Sequence, residues 1–307
     1  MKNLINYYYG LIINEFRKKE DNYEFSIKNQ KYEFILFEDD INKLNNVYYK
    51  VLSSGNYCHE IILNKDSSII TIFNNKPYIL FLKKINIDKE IDIDEILNFN
   101  IKVYNEDDLE LKNKWMMKID YYEYQMNELS NKYRLLKFSF DYYIGLSECA
   151  IELLDYIDFN NIDYYVVHKR IKYRQTVDEY LNPKEFIIDS RVRDICSYFK
   201  IYNINEKISD NFVINCLNAI NFNKDEAILF LARLIYPSYY FDLYDKIIQD
   251  KLSEERIEFY TKKSDSFERF IKSIYTYLKN RYSIPQIEWL ESNQYLQHQQ
   301  LLGFRLL

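Results

Sequence analysis

Two polar residues, His168 and Asp189, each follow a short apolar run deep in the chain, and together they could take part in phosphoryl transfer. The runs are 164–167 and 186–188, and their residue types predict two short strands. Phosphoryl-transfer sites place a loop of pattern HxDxxxxN after one strand and a metal-binding aspartate after the next. Asp189 lies 21 residues after His168, which fits this layout. The alternative is a structural histidine and an aspartate that only caps a turn.

The loop after this histidine lacks the residue that would accept a proton. In the HxDxxxxN pattern the aspartate accepts the substrate hydroxyl proton, and the asparagine helps to hold Mg²⁺ on the nucleotide phosphates. Here the aspartate position holds Arg170, whose guanidinium stays protonated. The asparagine position holds Gln175, which could still reach a metal bound by Asp189, although with altered geometry. Asp178 or Glu179 could serve as a displaced base.

The first third of the chain lacks the other parts of a nucleotide site. There is no GxGxxG, and the strand ending at 35–37 carries no lysine that could hold phosphates. The helix expected from Ile41 to Leu52 has no glutamate to pair with such a lysine. No cofactor is therefore expected, except ATP with Mg²⁺ if the site is still open. Arg170 and these losses favour a chain without catalysis.

The elements that must position these residues predict an α+β, two-lobed fold. Residues 23–27 and 32–36 alternate in polarity around a short turn, which predicts a hairpin. Asp40 can cap the helix that follows, and three strand candidates come next, at 59–63, 69–73 and 77–82. This order is that of a kinase N-terminal lobe, so we assign residues 1–86 to that lobe and residues 87–307, with a polar hinge, to a helical C-terminal lobe.

The rest of the chain is predicted to be mainly helical. A stripe from Trp115 to Leu129 steps by three and four residues, which indicates a long amphipathic helix with a core-facing stripe. Further helices are expected at 140–157, 209–219, 225–235, 241–249 and 266–280. Asp92, Asp94 and Glu95 lack the spacing of a calcium loop and are interpreted as a solvated helix start.

Composition excludes several classes of protein. The chain has 307 residues and a net charge of −6 without a basic patch, which argues against nucleic acid as a partner. Its four cysteines are scattered, so neither zinc nor a disulfide framework is indicated. The start lacks the features of a signal peptide and no apolar run could span a bilayer, so we expect synthesis in the cytoplasm. The 32 tyrosines fit an AT-rich genome and half-buried core positions, while tyrosine cross-linking in an assembly is the alternative.

The chain as a whole resembles the CotS/YutH-type spore coat proteins of Firmicutes, which are kinase-like proteins related to aminoglycoside and choline phosphotransferases. The resemblance is carried, in this order, by the segments 140–148, 164–170, 183–189 with 193–195, 232–237 and 285–290. It matches His168 to the catalytic-loop histidine and Asp189 to the metal-binding aspartate. It matches Arg193 and Asp194 to an Arg-Asp pair, of which the aspartate is expected to anchor the loop.

This resemblance implies a pseudokinase that acts in spore coat or envelope assembly by binding other coat or envelope proteins. It would be made in the mother-cell cytoplasm during sporulation and deposited in the coat. The alternatives are an active ATP-dependent small-molecule phosphotransferase with an atypical site, and a pseudokinase that binds a nucleotide without turnover. The remnant loop of His168, Arg170 and Gln175 and the metal candidate Asp189 are the site residues on which these hypotheses differ.

Overall fold

A computed structural model describes residues 1–84, 87–104, 110–129 and 131–291. By its contacts the chain forms two compact units, the first drawn from residues 1–106 and 163–195 and the second from residues 107–162 and 196–307. The predicted lobe boundary between residues 86 and 87 stays a prediction, because residue 86 lies outside the described residues.

The helices and strands are named in chain order. The strands are β1 (Arg17–Lys19), β2 (Asn22–Ile27), β3 (Gln30–Leu36), β4 (Glu60–Ile62), β5 (Thr71–Phe73), β6 (Lys76–Lys83), β7 (Lys102–Val103), β8 (Tyr164–His168) and β9 (Phe186–Ser190). The helices are α1 (Lys2–Tyr9), α2 (Ile41–Ser53), α3 (Ile93–Asn98), α4 (Leu111–Leu129), α5 (Arg134–Leu153), α6 (Val177–Tyr180), α7 (Val192–Ile204), α8 (Asp210–Ile220), α9 (Lys224–Ile235), α10 (Ser238–Ile248), α11 (Ile257–Arg281) and α12 (Glu288–Glu291).

An antiparallel sheet of order β1-β2-β3-β6-β4, with β5 also paired to β6, forms the first part of the first unit. The predicted hairpin is confirmed as β2 and β3, and the three later strands are confirmed as β4, β5 and β6. Asp40 caps α2 as predicted, since its carboxylate accepts the backbone N–H groups of Asn42 and Lys43. Helices α1, α6, α7 and α12 and strands β1 and β7 were not predicted from the sequence.

Both faces of this sheet are buried, which explains why its central strand β6 is almost wholly apolar. On one face, Ile79 and Phe81 pack with α2 in a cluster that also includes Val166 of β8 and Phe186 of β9. On the other face, Tyr78 and Leu80 pack with residues of α1 and of the β2–β3 hairpin. Helix α2 therefore joins the large sheet to the small antiparallel sheet β7-β8-β9 within one core.

The first two hairpins of the large sheet close with two-residue turns. Glu20 and Asp21 join β1 to β2, and Lys28 and Asn29 join β2 to β3. Lys28 and Asn29 both have positive φ, 47° and 68°, as the hairpin turn of type I′ requires. Neither turn contains a glycine.

The second unit is built from helices around α9, whose side chains are buried on nearly all sides. Helix α4 buries its stripe as predicted, at Trp115, Ile119, Tyr122 and Met126. Two predicted helices start later than the observed ones: α5 begins at Arg134 and α11 at Ile257. The tyrosines supply much of this core, and the Tyr143 ring stacks on that of Tyr240 with centroids 3.8 Å apart.

Several smaller expectations can also be compared with the structure. The acidic group at 92–95 is a helix start as interpreted, because Asp92 and Glu95 form a reciprocal cap on α3. All four cysteines are free thiols, and Cys58 and Cys196 are buried. Within the described ranges, no helix is both long enough and apolar enough to cross a membrane.

Candidate functional site

His168 lies at the end of β8 and is fully buried, and both of its ring nitrogens have partners in the protein. Its backbone N–H donates to both carboxylate oxygens of Asp194, at 3.0 and 3.1 Å. Its ring Nδ1 lies 2.7 Å from Asp194 Oδ2, and its Nε2 lies 2.8 Å from the carbonyl oxygen of Tyr180. The ring also stacks on that of Tyr180, with centroids 3.8 Å apart. The histidine thus holds the loop in place, and the anchoring expected for Asp194 is confirmed.

Asp189, the candidate metal ligand, lies on β9 next to this histidine strand and is 3% exposed. Its Oδ2 accepts a hydrogen bond of 2.8 Å from Nη1 of Arg193, and its Oδ1 accepts one of 2.7 Å from the backbone N–H of Ser190. Arg193 lies four residues further along the chain, at the start of α7. We call His168, Asp189, Arg193 and Asp194 the strand-end cluster.

Gln175, the second metal candidate, has its side chain directed into its own loop. It is 1% exposed, and its Oε1 accepts the backbone N–H of Lys172 at 2.9 Å. Its backbone carbonyl accepts the N–H of Ile91 at 2.9 Å, which ties the loop to the segment before α3. The amide oxygen that would coordinate a metal therefore holds the turn from Lys172 to Gln175 instead.

Arg170 occupies the position of the proton acceptor and is half-buried. Its Nη1 donates to the backbone carbonyl of Lys169 at 3.0 Å. A guanidinium offers only donors, so this position can bind an anion or a carbonyl but cannot take a proton.

The two carboxylates that could replace the missing base are both engaged elsewhere. Asp178 Oδ2 accepts a hydrogen bond of 2.7 Å from Lys83 Nζ, and Asp178 Oδ1 lies 3.5 Å from His59 Nε2. Lys83 Nζ also pairs with Glu33 of β3. Glu179 accepts the backbone N–H of Thr176 at 3.2 Å as part of the cap of α6. We call Glu33, His59, Lys83 and Asp178 the Lys83 cluster.

Burial and neighbouring charges shift the pKa values of Lys83 and His59 in the Lys83 cluster. Burial lowers the pKa of Lys83, but the hydrogen bonds to Asp178 and Glu33 outweigh it, so the pKa lies above its usual value. Burial also lowers the pKa of His59, the nearby charge of Lys83 adds to this effect, and Asp178 offsets it only in part. Lys83 is therefore a bound cation, while the His59 ring is held toward its neutral form.

Another positively charged side chain, that of Lys184, lies where β3 ends. Lys184 Nζ donates to the carbonyl oxygen of Leu36 at 2.9 Å. Burial lowers the pKa of Lys184, and the positive charges of Lys169 and Lys172 lower it further. Lys169 itself pairs with Asp39 at 2.6 Å. The contact of Lys184 could not be predicted from the sequence, because no spacing relates this residue to the end of β3.

The residues predicted to hold Mg²⁺ do not fit that ion. One oxygen of Asp189 accepts from Arg193, the other accepts from Ser190, and the amide oxygen of Gln175 accepts from Lys172. In the described part of the chain, no three side chains of His, Cys, Asp or Glu gather as metal ligands would. The two-residue, glycine-free turns of the large sheet do not fit a loop that covers nucleotide phosphates either.

Similar folds occur among solved phosphotransferases. The structure of an aminoglycoside phosphotransferase from Alicyclobacillus acidocaldarius matches with a TM-score of 0.61 at 10% identity, over 91% of this chain and 96% of the other. A spectinomycin phosphotransferase, solved with ADP and spectinomycin, matches with a TM-score of 0.57 at 12% identity, over 90% and 97%. A choline kinase from Streptococcus pneumoniae matches with a TM-score of 0.53 at 12% identity, over 90% and 97%.

These likenesses show the fold, which is the two-lobed, kinase-like fold of the aminoglycoside phosphotransferases. They confirm the predicted fold class, with an antiparallel sheet in the N-terminal region and a helical C-terminal region. No model of a protein family matches the sequence, and no curated protein matches it.

Proposed function

We propose that this chain is a pseudokinase, a protein with the phosphotransferase fold that acts by binding and does not transfer phosphate. The observation that carries the proposal is the lack of a carboxylate at the position of the base. Arg170 stands there, and the neighbouring Asp178 and Glu179 are bound by Lys83 and by the cap of α6. A substrate hydroxyl would meet no proton acceptor from this loop.

The nucleotide side of the site supports the same proposal. Protein kinases hold the phosphates with a glycine-rich loop and a lysine on the strand before the first helix. Here the hairpin turns are Glu20-Asp21 and Lys28-Asn29, and β3 carries no lysine after Lys31 at its start.

The test of catalysis is direct. The purified chain is mixed with labelled ATP and Mg²⁺, and both hydrolysis and transfer to small hydroxyl compounds are measured beside the Asp189→Ala variant. We expect no turnover above that of the variant. Metal-dependent transfer by the unaltered chain that disappears in Asp189→Ala would contradict the proposal and favour an active phosphotransferase with an atypical site.

Restoring the missing base tests how much of the site has been lost. We expect the Arg170→Asp variant to remain inactive, because the phosphate-holding lysine and the glycine-rich loop are missing too. Arg170→Gln, which removes the positive charge without supplying a base, is the matched control. A gain of turnover in Arg170→Asp alone would show a site that is otherwise intact. Calorimetric binding of ATP without turnover would identify the nucleotide-binding pseudokinase.

We also propose that the chain acts in spore coat or envelope assembly, by binding other coat or envelope proteins after synthesis in the mother-cell cytoplasm. The support is the resemblance of the ordered segments, above all 164–170 and 183–189, to spore coat proteins of Firmicutes. A fluorescent fusion, expressed at its native level in the bacterium that encodes the chain, should form a ring around the forespore. Fluorescence that stays diffuse through sporulation would contradict this setting and leave the pseudokinase proposal standing.

A further inference from the structure

The guanidinium of Arg193 binds three oxygens that belong to two different strand ends. Nη1 donates to Asp189 Oδ2 at 2.8 Å, Nε donates to the carbonyl of His168 at 3.0 Å, and Nη2 donates to the carbonyl of Lys169 at 2.9 Å. His168 ends β8, Lys169 follows it, and Asp189 lies on β9. A single positive group thus collects one carboxylate and two backbone carbonyls.

Carboxylate and carbonyl oxygens are the groups that proteins use to hold hard divalent cations. In this chain, oxygens of these two kinds, on Asp189, His168 and Lys169, accept hydrogen bonds from the Arg193 side chain. Asp189 is the aspartate matched to the metal-binding position. Asp189 is nearly inaccessible to solvent, and a carboxylate removed from water needs a positive partner. Arg193 supplies that charge permanently, because a guanidinium does not lose its proton at physiological pH.

Arg193 and Asp194 together satisfy the backbone of the loop histidine. Arg193 donates to the carbonyl of His168, while Asp194 accepts its N–H. Both residues belong to the first turn of α7, so the start of one helix binds both the N–H and the carbonyl of His168 at the end of β8.

We propose that Arg193 is a built-in cation that takes the place of a divalent metal ion at Asp189, and that the strand-end cluster is closed to such ions. The inference deepens the proposed function, on which it rests, because a pseudokinase has no need of a metal on nucleotide phosphates. The inference is tested by measuring ion binding and stability, so it can fail while the proposed function stands.

Binding of Mn²⁺ to the complete, unaltered chain is the first test. Free Mn²⁺ is measured by electron paramagnetic resonance during titration with protein, and the Asp189→Asn variant is titrated in parallel. We expect the two titrations to coincide. One Mn²⁺ bound by the unaltered chain and lost in Asp189→Asn would overturn the inference, and if turnover were still absent the pseudokinase proposal would survive.

The second test removes the built-in cation. Arg193→Ala should lower the Tm by many degrees, and low millimolar guanidinium ion should restore part of the loss, whereas the same concentration of urea should not. The matched control is Arg134→Ala, at an exposed arginine that begins α5, for which we expect little change of Tm and no response to guanidinium. Arg193→Lys keeps the charge but not the fork of donors, and should lie between the two.

The outcomes separate clearly. An Arg193→Ala variant as stable as Arg134→Ala would overturn the inference, since no buried carboxylate would then depend on Arg193. A variant that does not fold supports this dependence, and the Mn²⁺ titration of the unaltered chain then decides whether the site is closed to metal.

Discussion

The strand-end cluster and the Lys83 cluster are two groups of charged side chains in the same unit, and they are held in opposite ways. In the strand-end cluster, Arg193 and Asp194 bind backbone groups of β8 as well as side chains. In the Lys83 cluster, Lys83 Nζ binds the carboxylates of Glu33 and Asp178, and within the described residues Nδ1 of His59 has no hydrogen-bond partner. A cluster fixed to the backbone supports the fold, while one made between side chains is open to titration.

The largest effect expected from this comparison comes from removing one aspartate of each cluster. Asp194→Ala leaves the backbone N–H and the ring of a buried histidine without their acceptor, so we expect a loss of about 3–5 kcal/mol in the free energy of unfolding. Asp178→Ala, at a more exposed carboxylate without backbone partners, should cost about 1–2 kcal/mol. Urea denaturation of both variants beside the unaltered chain measures the difference.

Equal losses in the two variants would contradict this difference between the clusters, because they would show that hydrogen bonds to the backbone add nothing to the free energy of unfolding. Asp194→Asn refines the measurement, since an amide keeps one acceptor oxygen but not the charge. We expect its stability to lie between those of the unaltered chain and Asp194→Ala.

The next effect concerns pH and the Lys83 cluster. The pKa of His59 is lowered by burial from 6.5, so the unfolded chain takes up a proton at this residue at a higher pH than the folded chain. The contribution of His59 to stability is therefore present above pH 6.5 and is lost as the pH falls from there through the lowered pKa. Its slope cannot exceed about 1.4 kcal/mol per pH unit.

His59→Gln should remove this part of the acid sensitivity. The charged groups that face His59, namely Asp178, Lys83 and Glu33, remain in the variant, so the difference between the two pH profiles isolates the histidine. The free energy of unfolding is measured between pH 8 and pH 5. Parallel profiles would show that His59 is not held toward its neutral form.

The smallest effect is expected where a charge pair is neither buried nor attached to the backbone. Lys169 and Asp39 lie 2.6 Å apart, with side chains 36% and 58% exposed. We expect Lys169→Ala to change the free energy of unfolding by less than about 1 kcal/mol, and the difference to shrink further in high salt. A loss as large as that of Asp178→Ala would show that distance alone sets the strength of these pairs.

The elements that the sequence predicted well are those with a strong local signal. The alternation of β2 and β3, the cap at Asp40 and the apolar runs of β8 and β9 all depend on neighbouring residues. The missed strand β1 reads Arg-Lys-Lys and is exposed throughout, as suits a sheet edge that must not pair with other chains. The first part of α11 is polar, so its apolar face gives no signal before Phe267.

The positions of the candidate site residues could be predicted from the sequence, but most of their hydrogen-bond and ion-pair partners could not. The spacing of His168 and Asp189 could be read from the sequence, and the link from Asp189 to Arg193 spans only four residues, from the end of a strand to the start of the next helix. The pairing of Lys83 with Asp178 could not, since they lie 95 residues apart. The hydrogen bond from the backbone N–H of Lys172 to the Gln175 amide oxygen could not be predicted either, because it depends on the path of one loop.

The pair of Asp189 and Arg193 has an evolutionary consequence. Once the guanidinium balances the buried carboxylate, changing either residue alone removes this ion pair and leaves one of its two charges in place, which is expected to cost more than replacing both together. We therefore expect a lineage that carries both residues to keep the aspartate for the sake of its arginine. In such a lineage an invariant aspartate at this position records epistasis within the fold and is no evidence of retained phosphoryl transfer.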